Sequence, residues 1–425
     1  MNRKQRRMQA AQQRTSGSLG APPAEGSAMA QHLATAQALR EAGQLPESRE
    51  RLERALGIEP DDPRVLCELA HVQRMMERPS EAARSLRQAL RAAPRSPEIL
   101  ANLAATLRDL GEAEEALRAY SKVVEWKPDF VQAHCELGST LQDLGRPGEA
   151  VAAYRRSLAV DSRQPAVLAN LGFACLEVGD PAGALEAIDA CLAMDPHCGV
   201  AVVAKAYALG ELGRRDEADE WMGLERCVRA LALSEVAEVD DLEAFQEELQ
   251  RHLEHHPSLA LEPNQRTTRL GRQTGELMRG DKGPCARLEA ALERAVARYL
   301  DDLPREAGHP WLSHRPRSLR LSMWGTLLGR GGHQAPHFHP AAWVSGVYYV
   351  RVPAEVRDDD PGQQGWIEFG QPPESFRLQG AVPVRRLRPR AGEVVLFPSY
   401  MYHRTIPFES DSPRISIAMD AVPER

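Results

Sequence analysis

Prolines recur every 34 residues through the first half of the chain, at Pro60, Pro94 and Pro128, and Ser162 and Pro196 carry the same register on. Other positions keep step. A small residue recurs at Ala36, Ala70, Ala104, Gly138, Gly172 and Ala206, and a second series runs Ser48, Ala82, Ala116, Ala150, Ala184 and Ala218. Gly43, Gly111, Gly145, Gly179 and Gly213 mark a turn between two helices, with Glu77 as the exception. Each position has a physical task. Glycine takes the left-handed conformation that ends a first helix. Proline stops the second helix, because it lacks an N–H and clashes with the preceding turn. Small residues let the paired helices approach closely. One such unit cannot bury its own apolar face, so the units must stack into a superhelix with a concave groove.

Six units in register over residues 29–224 resemble the tetratricopeptide repeat (TPR), whose period is about 34 residues. The groove of such an array reads as a peptide- or protein-binding surface, or else as a spacer or dimerisation module. Arg108, Gln142 and Asn170 are candidates to face it.

The remainder of the 425 residues sets limits on function. No apolar run reaches the roughly 18 residues that a membrane span needs. Residues 1–28 read as a disordered basic tail; no apolar stretch follows MNRKQRR, as a secretory signal requires. The net charge of −7 argues against nucleic-acid or membrane partners. Seven cysteines, an odd number with no CxxC pair, fit reduced thiols in the cytoplasm.

After Met222 the period fails, which places a domain break near 224–240. Residues 225–316 read as a helical lead-in, with amphipathic helices expected over 238–256 and 284–302. His252, His255 and His256 form an HxxHH cluster, but without a cysteine or carboxylate partner they read as a solvated helix end. His309 and His314 fall in a Pro-bounded loop and read as solvated.

From 317 to 425 the texture changes to short segments rich in Val, Ile, Tyr, Trp and Phe between Gly/Pro turns. This is the pattern of an antiparallel jelly-roll or cupin-like domain. The fold class is therefore multidomain α + β: a helical solenoid, then preceding helices and a β core. In HQAPHFHPAAW, His337 and His339 stand two apart, so on an extended strand both imidazoles point the same way. His403 follows 64 residues later and Arg414 a further 11. In PRISIAMD the alternation puts Arg414, Ser416 and Ala418 on one face and Ile415, Ile417 and Met419 on the other. Three imidazoles can hold a divalent metal with positions left open. A guanidinium grips a carboxylate bidentately. Together they describe a site for a metal-chelating, carboxylate-bearing cosubstrate. His333 reads as a rim residue. Arg385, Arg386, Arg388 and Arg390 read as a solvated strand face or as a surface that steers an acidic substrate.

LSMWGTLL, GGHQAPHFHPAAWVSGVYYVRVP, GWIEFG, RAGEVVLFPSYMYHRTIPF and PRISIAMD, with GRQTGEL upstream, resemble the iron(II)/2-oxoglutarate-dependent oxygenases. In particular they are similar to a bacterial family of these enzymes that often carries TPRs in front. The resemblance covers roughly 240–423. It implies a double-stranded β-helix in which His337 and His403 bind Fe(2+), while Arg414, assisted by Ser416, takes the far carboxylate of 2-oxoglutarate. Trp324 and Tyr349 either line the cosubstrate pocket, Tyr349 by a hydrogen bond to that carboxylate, or belong to the core. The wider superfamily uses His-x-Asp/Glu where this chain has His339. Either His339 is the third ligand or the iron keeps an extra open site; the i, i+2 placement favours the ligand.

These readings converge on an Fe(2+)- and 2-oxoglutarate-dependent dioxygenase, with the groove recruiting a protein or peptide to be hydroxylated. Two rivals stand beside it: a TPR binding protein with an inactive barrel, and a three-histidine zinc hydrolase, in which Arg414 and Ser416 would have no task.

Overall fold

The computed structural model describes residues 28–424 except 238–240, 263–266, 306–308, 314, 375, 377 and 381. The basic tail up to residue 27 and His314 lie outside the described residues. By its contacts the chain forms two compact units, one ending at Val178 and one running from Gly179 onward.

The first unit is a stack of helix pairs, beginning with Ala28–Glu41 against Leu45–Ile58 and continuing to Pro165–Glu177. The repeat chemistry acts as its residue types dictate. Proline opens the helices at Pro63, Pro79, Pro97, Pro147 and Pro165, where the missing N–H has no intrahelical partner to lose. The turn glycines have positive φ, 76° at Gly43, 82° at Gly111 and 69° at Gly145. Glu77, the exception in sequence, adopts the same conformation at φ 61°. Gly138 is small because a Cβ there would lie 2.6 Å from the Tyr154 ring. Neighbouring repeats are laced by a ladder of their own: Arg74 to Asp109 at 2.9 Å, Arg108 to Asp143 at 2.7 Å and Gln142 to Glu177 at 3.0 Å. Two of the groove candidates take part in this ladder. Arg108 is buried, with 3% of its side chain exposed, and also bonds Glu136; Gln142 also accepts from the Tyr154 hydroxyl. Both hold repeats together.

The second unit contains the last helices of the repeat register, Pro181–Met194, Gly199–Glu211 and Arg215–Met222, together with the sheets. The sequence puts the domain break where the period ends, whereas these contacts put a division at 178/179. The reason is visible at Gly199–Glu211. The Tyr207 hydroxyl donates to the carbonyl of Gly370 at 2.9 Å, and Glu211 accepts from the backbone N–H of Gly380 at 2.6 Å. Glu211 holds the register position of Asp109, Asp143 and Glu177, but residue 176 is leucine and offers it no polar partner, so the acid binds a loop instead.

A seven-stranded antiparallel sheet runs in the order β1-β8-β5-β10-β4-β3-β2, and a three-stranded sheet in the order β7-β6-β9. The strands of the first are β1 (Arg229–Ala232), β2 (Ala260–Leu261), β3 (Thr268–Gln273), β4 (Leu319–Gln334), β5 (Val344–Arg351), β8 (Glu393–Pro398) and β10 (Arg414–Pro423). Those of the second are β6 (Ile367–Phe369), β7 (Arg385–Leu387) and β9 (His403–Thr405). The expected helices appear as Leu242–Glu254 and Cys285–Asp302. The lead-in is not helical throughout, however, because β1, β2 and β3 come from it and extend the main sheet on both sides. One face of that sheet is apolar. Ile417 pairs with Gly325, and a Cβ on Gly325 would meet Leu253 at 2.5 Å, so the helix Leu242–Glu254 covers this face. Ile415, Ile417 and Met419 are buried here, as the alternation predicts. His309 is also buried, at 4% exposed, contrary to the solvated reading: its Nε2 contacts the carbonyl of Trp221 at 3.0 Å and its ring packs on the Trp221 indole.

Candidate metal centre

The opposite face of the sheet carries the polar residues. β4 ends at Gln334, and the chain bends at Pro336 before His337, whose backbone exchanges two hydrogen bonds with His403 on β9, at 3.1 and 2.9 Å. Two residues on, His339 N–H donates to the carbonyl of Ser399 at 2.9 Å. These bonds fix an i, i+2 pair beside β9, and the three imidazoles converge. Ring centroids lie 4.2 Å apart for His337–His403, 5.0 Å for His337–His339 and 5.2 Å for His339–His403. One nitrogen from each lies within 4.8 Å of the others.

The hydrogen bonds select which nitrogen. His337 Nδ1 is 2.8 Å from the carbonyl of Ala335, His403 Nδ1 is 3.1 Å from that of Met401, and His339 Nδ1 is 2.8 Å from Asp420 Oδ2. All three partners are pure acceptors, so each ring carries its proton on Nδ1 and keeps the Nε2 lone pair. That is how metal-binding imidazoles are oriented from behind. At His337 and His403 protonation does not compete near neutrality. Burial, reinforced by the neighbouring His339, pushes His337 down to about 3, and burial with both neighbouring rings holds His403 well below its ordinary value.

Arg414 is buried, at 2% exposed, on the same face. Its guanidinium donates to Thr405 Oγ1 at 3.0 Å and lies over the Tyr349 ring, 5.0 Å from the centroid. Among the described residues no carboxylate pairs with it, and its Nε has no partner. Burial accordingly depresses its pKa, though a guanidinium stays charged. Ser416, one inward position along β10, pairs in register with Thr326 on β4 and Tyr349 on β5. The Tyr349 hydroxyl interacts with the Arg414 guanidinium, and Thr326 Oγ1 is buried without a hydrogen-bond partner. A buried cation beside unsatisfied polar atoms is costly unless an acceptor-rich group enters. An anion beside Arg414 would supply those acceptors.

The structure brings together His337, His339 and His403, and along β10 and its neighbours Arg414, Ser416 and Tyr349. Trp324 stacks on His339 at 5.6 Å with 16° between the planes, so it braces an imidazole. His333 Nδ1 lies 3.1 Å from the carbonyl of Gly331 and stays apart from the cluster. His252 and His256 pack ring against ring, His256 Nδ1 bonds Ser258 Oγ at 2.7 Å, and His255 Nδ1 bonds the carbonyl of Arg251. The arginine stretch is no free basic face. Arg385 caps the carbonyls of Leu224 and Val228, Arg388 pairs with Asp358 at 2.5 Å, and Arg386 joins Arg404 in holding the buried Glu368 of β6, each at 2.5 Å. Sequence reasoning missed Asp420, Thr326 and Thr405. Asp420 was open to the alternation that found Arg414, since positions 414, 416, 418 and 420 share a face.

Residues 322–420 match the model of the family described as "Putative 2OG-Fe(II) oxygenase". Residues 29–72, 73–134 and 135–198 match three tetratricopeptide-repeat models. Among solved structures the chain is similar to the pilF protein of Pseudomonas aeruginosa, with 19% identity over 47% of this chain and 91% of that one, at a TM-score of 0.42. It is similar to MamA, with 24% identity over 38% and 90% at a TM-score of 0.36. It is also similar to YrrB, a TPR protein with an unusual peptide-binding site, with 21% identity over 41% and 90% at 0.36. The comparison with curated proteins finds no match.

Proposed function

We propose that this chain, a tetratricopeptide array followed by a domain of the 2OG-Fe(II) oxygenase family, is an Fe(2+)- and 2-oxoglutarate-dependent dioxygenase acting on a protein or peptide. One observation carries the reading. Three imidazoles with their Nδ1 protons already committed stand in the same sheet framework as a buried Arg414 that has no acid of its own. A metal alone would explain the histidines but not the arginine. A dicarboxylate bound to that metal explains both.

In this reading His337, His339 and His403 hold the iron through Nε2. Arg414 takes the far carboxylate, aided by Ser416 and Tyr349, and Thr326 is placed to join them. The two sheets are then the double-stranded β-helix of such enzymes. Bound iron and 2-oxoglutarate supply the oxidation, in which O2 gives one atom to a substrate C–H bond and one to the succinate formed as CO2 leaves. The protein binds and orients them. The bonds from Ala335, Met401 and Asp420 fix the imidazole planes, and the apolar rings Phe369 and Phe397, the latter 4.6 Å from the His403 ring, keep water from that side. The TPR array supports a protein or peptide partner by analogy of fold. An odd number of cysteines with no CxxC pair supports a reducing, cytoplasmic setting. The test is turnover. Anaerobically reconstituted protein given 2-oxoglutarate and O2 should release succinate with Fe(2+) and not with Zn(2+). Zinc-dependent hydrolysis without succinate would replace this reading.

A further inference from the structure

We propose that Asp420 is a positioning residue of the metal centre, supplying through His339 the negative charge that the ligand set lacks. The proposal rests on the iron-site reading above. Three neutral imidazoles around a divalent cation leave its full charge in a buried place, whereas a two-histidine, one-carboxylate set would cancel half of it. Asp420 restores that charge one ring further out.

The geometry separates His339 from its neighbours. His337 and His403 each lean on a neutral main-chain carbonyl. His339 alone leans on a carboxylate, at 2.8 Å. That carboxylate is buried, at 9% exposed, and its other oxygen accepts from Ser345 Oγ at 2.6 Å. Ser345 Oγ also lies 3.0 Å from Ser399 Oγ. Asp420 therefore accepts from both sides, from the Ser345 hydroxyl and from His339 Nδ1–H. Trp324, stacked at 16°, holds the ring plane while Asp420 holds its rotation. A carboxylate behind an imidazole makes Nε2 a stronger donor to a metal.

The test compares metal affinity in four full-length proteins: wild type, D420N, H339D and H339D/D420N. Each is titrated anaerobically with Fe(2+) and, as a spectroscopic stand-in, with Co(2+). Asn keeps the shape and an acceptor oxygen but loses the charge, so D420N should bind about 10–100-fold more weakly, the cost typical of a lost outer carboxylate. In the H339D background no Nδ1–H remains to relay the effect, and the added D420N change should alter affinity by less than about twofold, the scatter of independent sites. D420N binding as tightly as wild type overturns the proposal, and so does an equal loss in both backgrounds, which would mark Asp420 as merely structural. If D420N does not fold, S345A decides: a smaller loss of the same kind supports the relay, and unchanged affinity overturns it. Wild-type protein that takes up neither metal removes the iron reading and this proposal together. Wild-type binding with an unaffected D420N removes this proposal alone.

Discussion

At the scale of single residues, the same position can be read in two ways, and the backbone decides between them. Glu77 stands where the other turns have glycine and adopts the left-handed φ of 61° regardless. An L-residue is strained there by about 1–2 kcal/mol, while glycine adds flexibility to the unfolded chain. Glu77→Gly should therefore raise stability by a net of about 0.5–1 kcal/mol in urea melts, and a loss would mean that the Glu77 side chain contributes more than its backbone costs. Arg414 is the clearest functional residue. Arg414→Ala should weaken 2-oxoglutarate binding by roughly 1.5–3 kcal/mol, the worth of a hydrogen bond to a charged group, with metal content unchanged. Lysine should restore only part of it, lacking the planar fork. Calorimetry showing full cosubstrate affinity in Arg414→Ala would remove the residue from the site. Arg414 was legible in the sequence because PRISIAMD alternates strictly. Asp420 lies on the same face but 81 residues from His339, and a search for acids near the HxH in sequence cannot reach it.

At the scale of elements, most strands after residue 317 were legible and those of the lead-in were not. β4, β5, β8 and β10 lie in segments of clear β composition. β1 (RALA) and β3 (TRLGRQ) lack it; they become strands because β8 and β4 offer them unpaired edges. The pH response belongs to the segment His337–His339 and β9. His337 titrates near 3 in the folded chain against an ordinary value of 6.5, and His403 is lowered too. Between those pH values the unfolded chain binds protons that the folded chain does not, so acid favours unfolding. The metal-free protein should therefore lose stability as pH falls from about 6.5 toward 3, and His337→Gln should flatten part of that slope. Melting temperatures of the two proteins with identical pH dependence would contradict the burial argument.

At the scale of the whole molecule, the repeat period announces six similar units, but their partners differ. Tyr207 looks like any repeat aromatic, yet its hydroxyl reaches Gly370, 163 residues away. A fragment beginning at residue 225 loses that bond and the Glu211–Gly380 contact, and should fail to give a cooperative melt, whereas one beginning at 179 should fold. Cooperative folding of 225–425 alone would restore the boundary that the period suggests. The central claim is that three histidines and one arginine serve a single iron–dicarboxylate complex, and it is tested most directly by the visible charge-transfer band that 2-oxoglutarate gives on chelating Fe(2+). Anaerobic wild-type protein should show the band only when both are present. It should vanish in His337→Ala and His403→Ala, and in Arg414→Ala it should need a higher 2-oxoglutarate concentration. No band in iron-loaded wild-type protein, or an Arg414→Ala titration superimposable on wild type, would contradict the account.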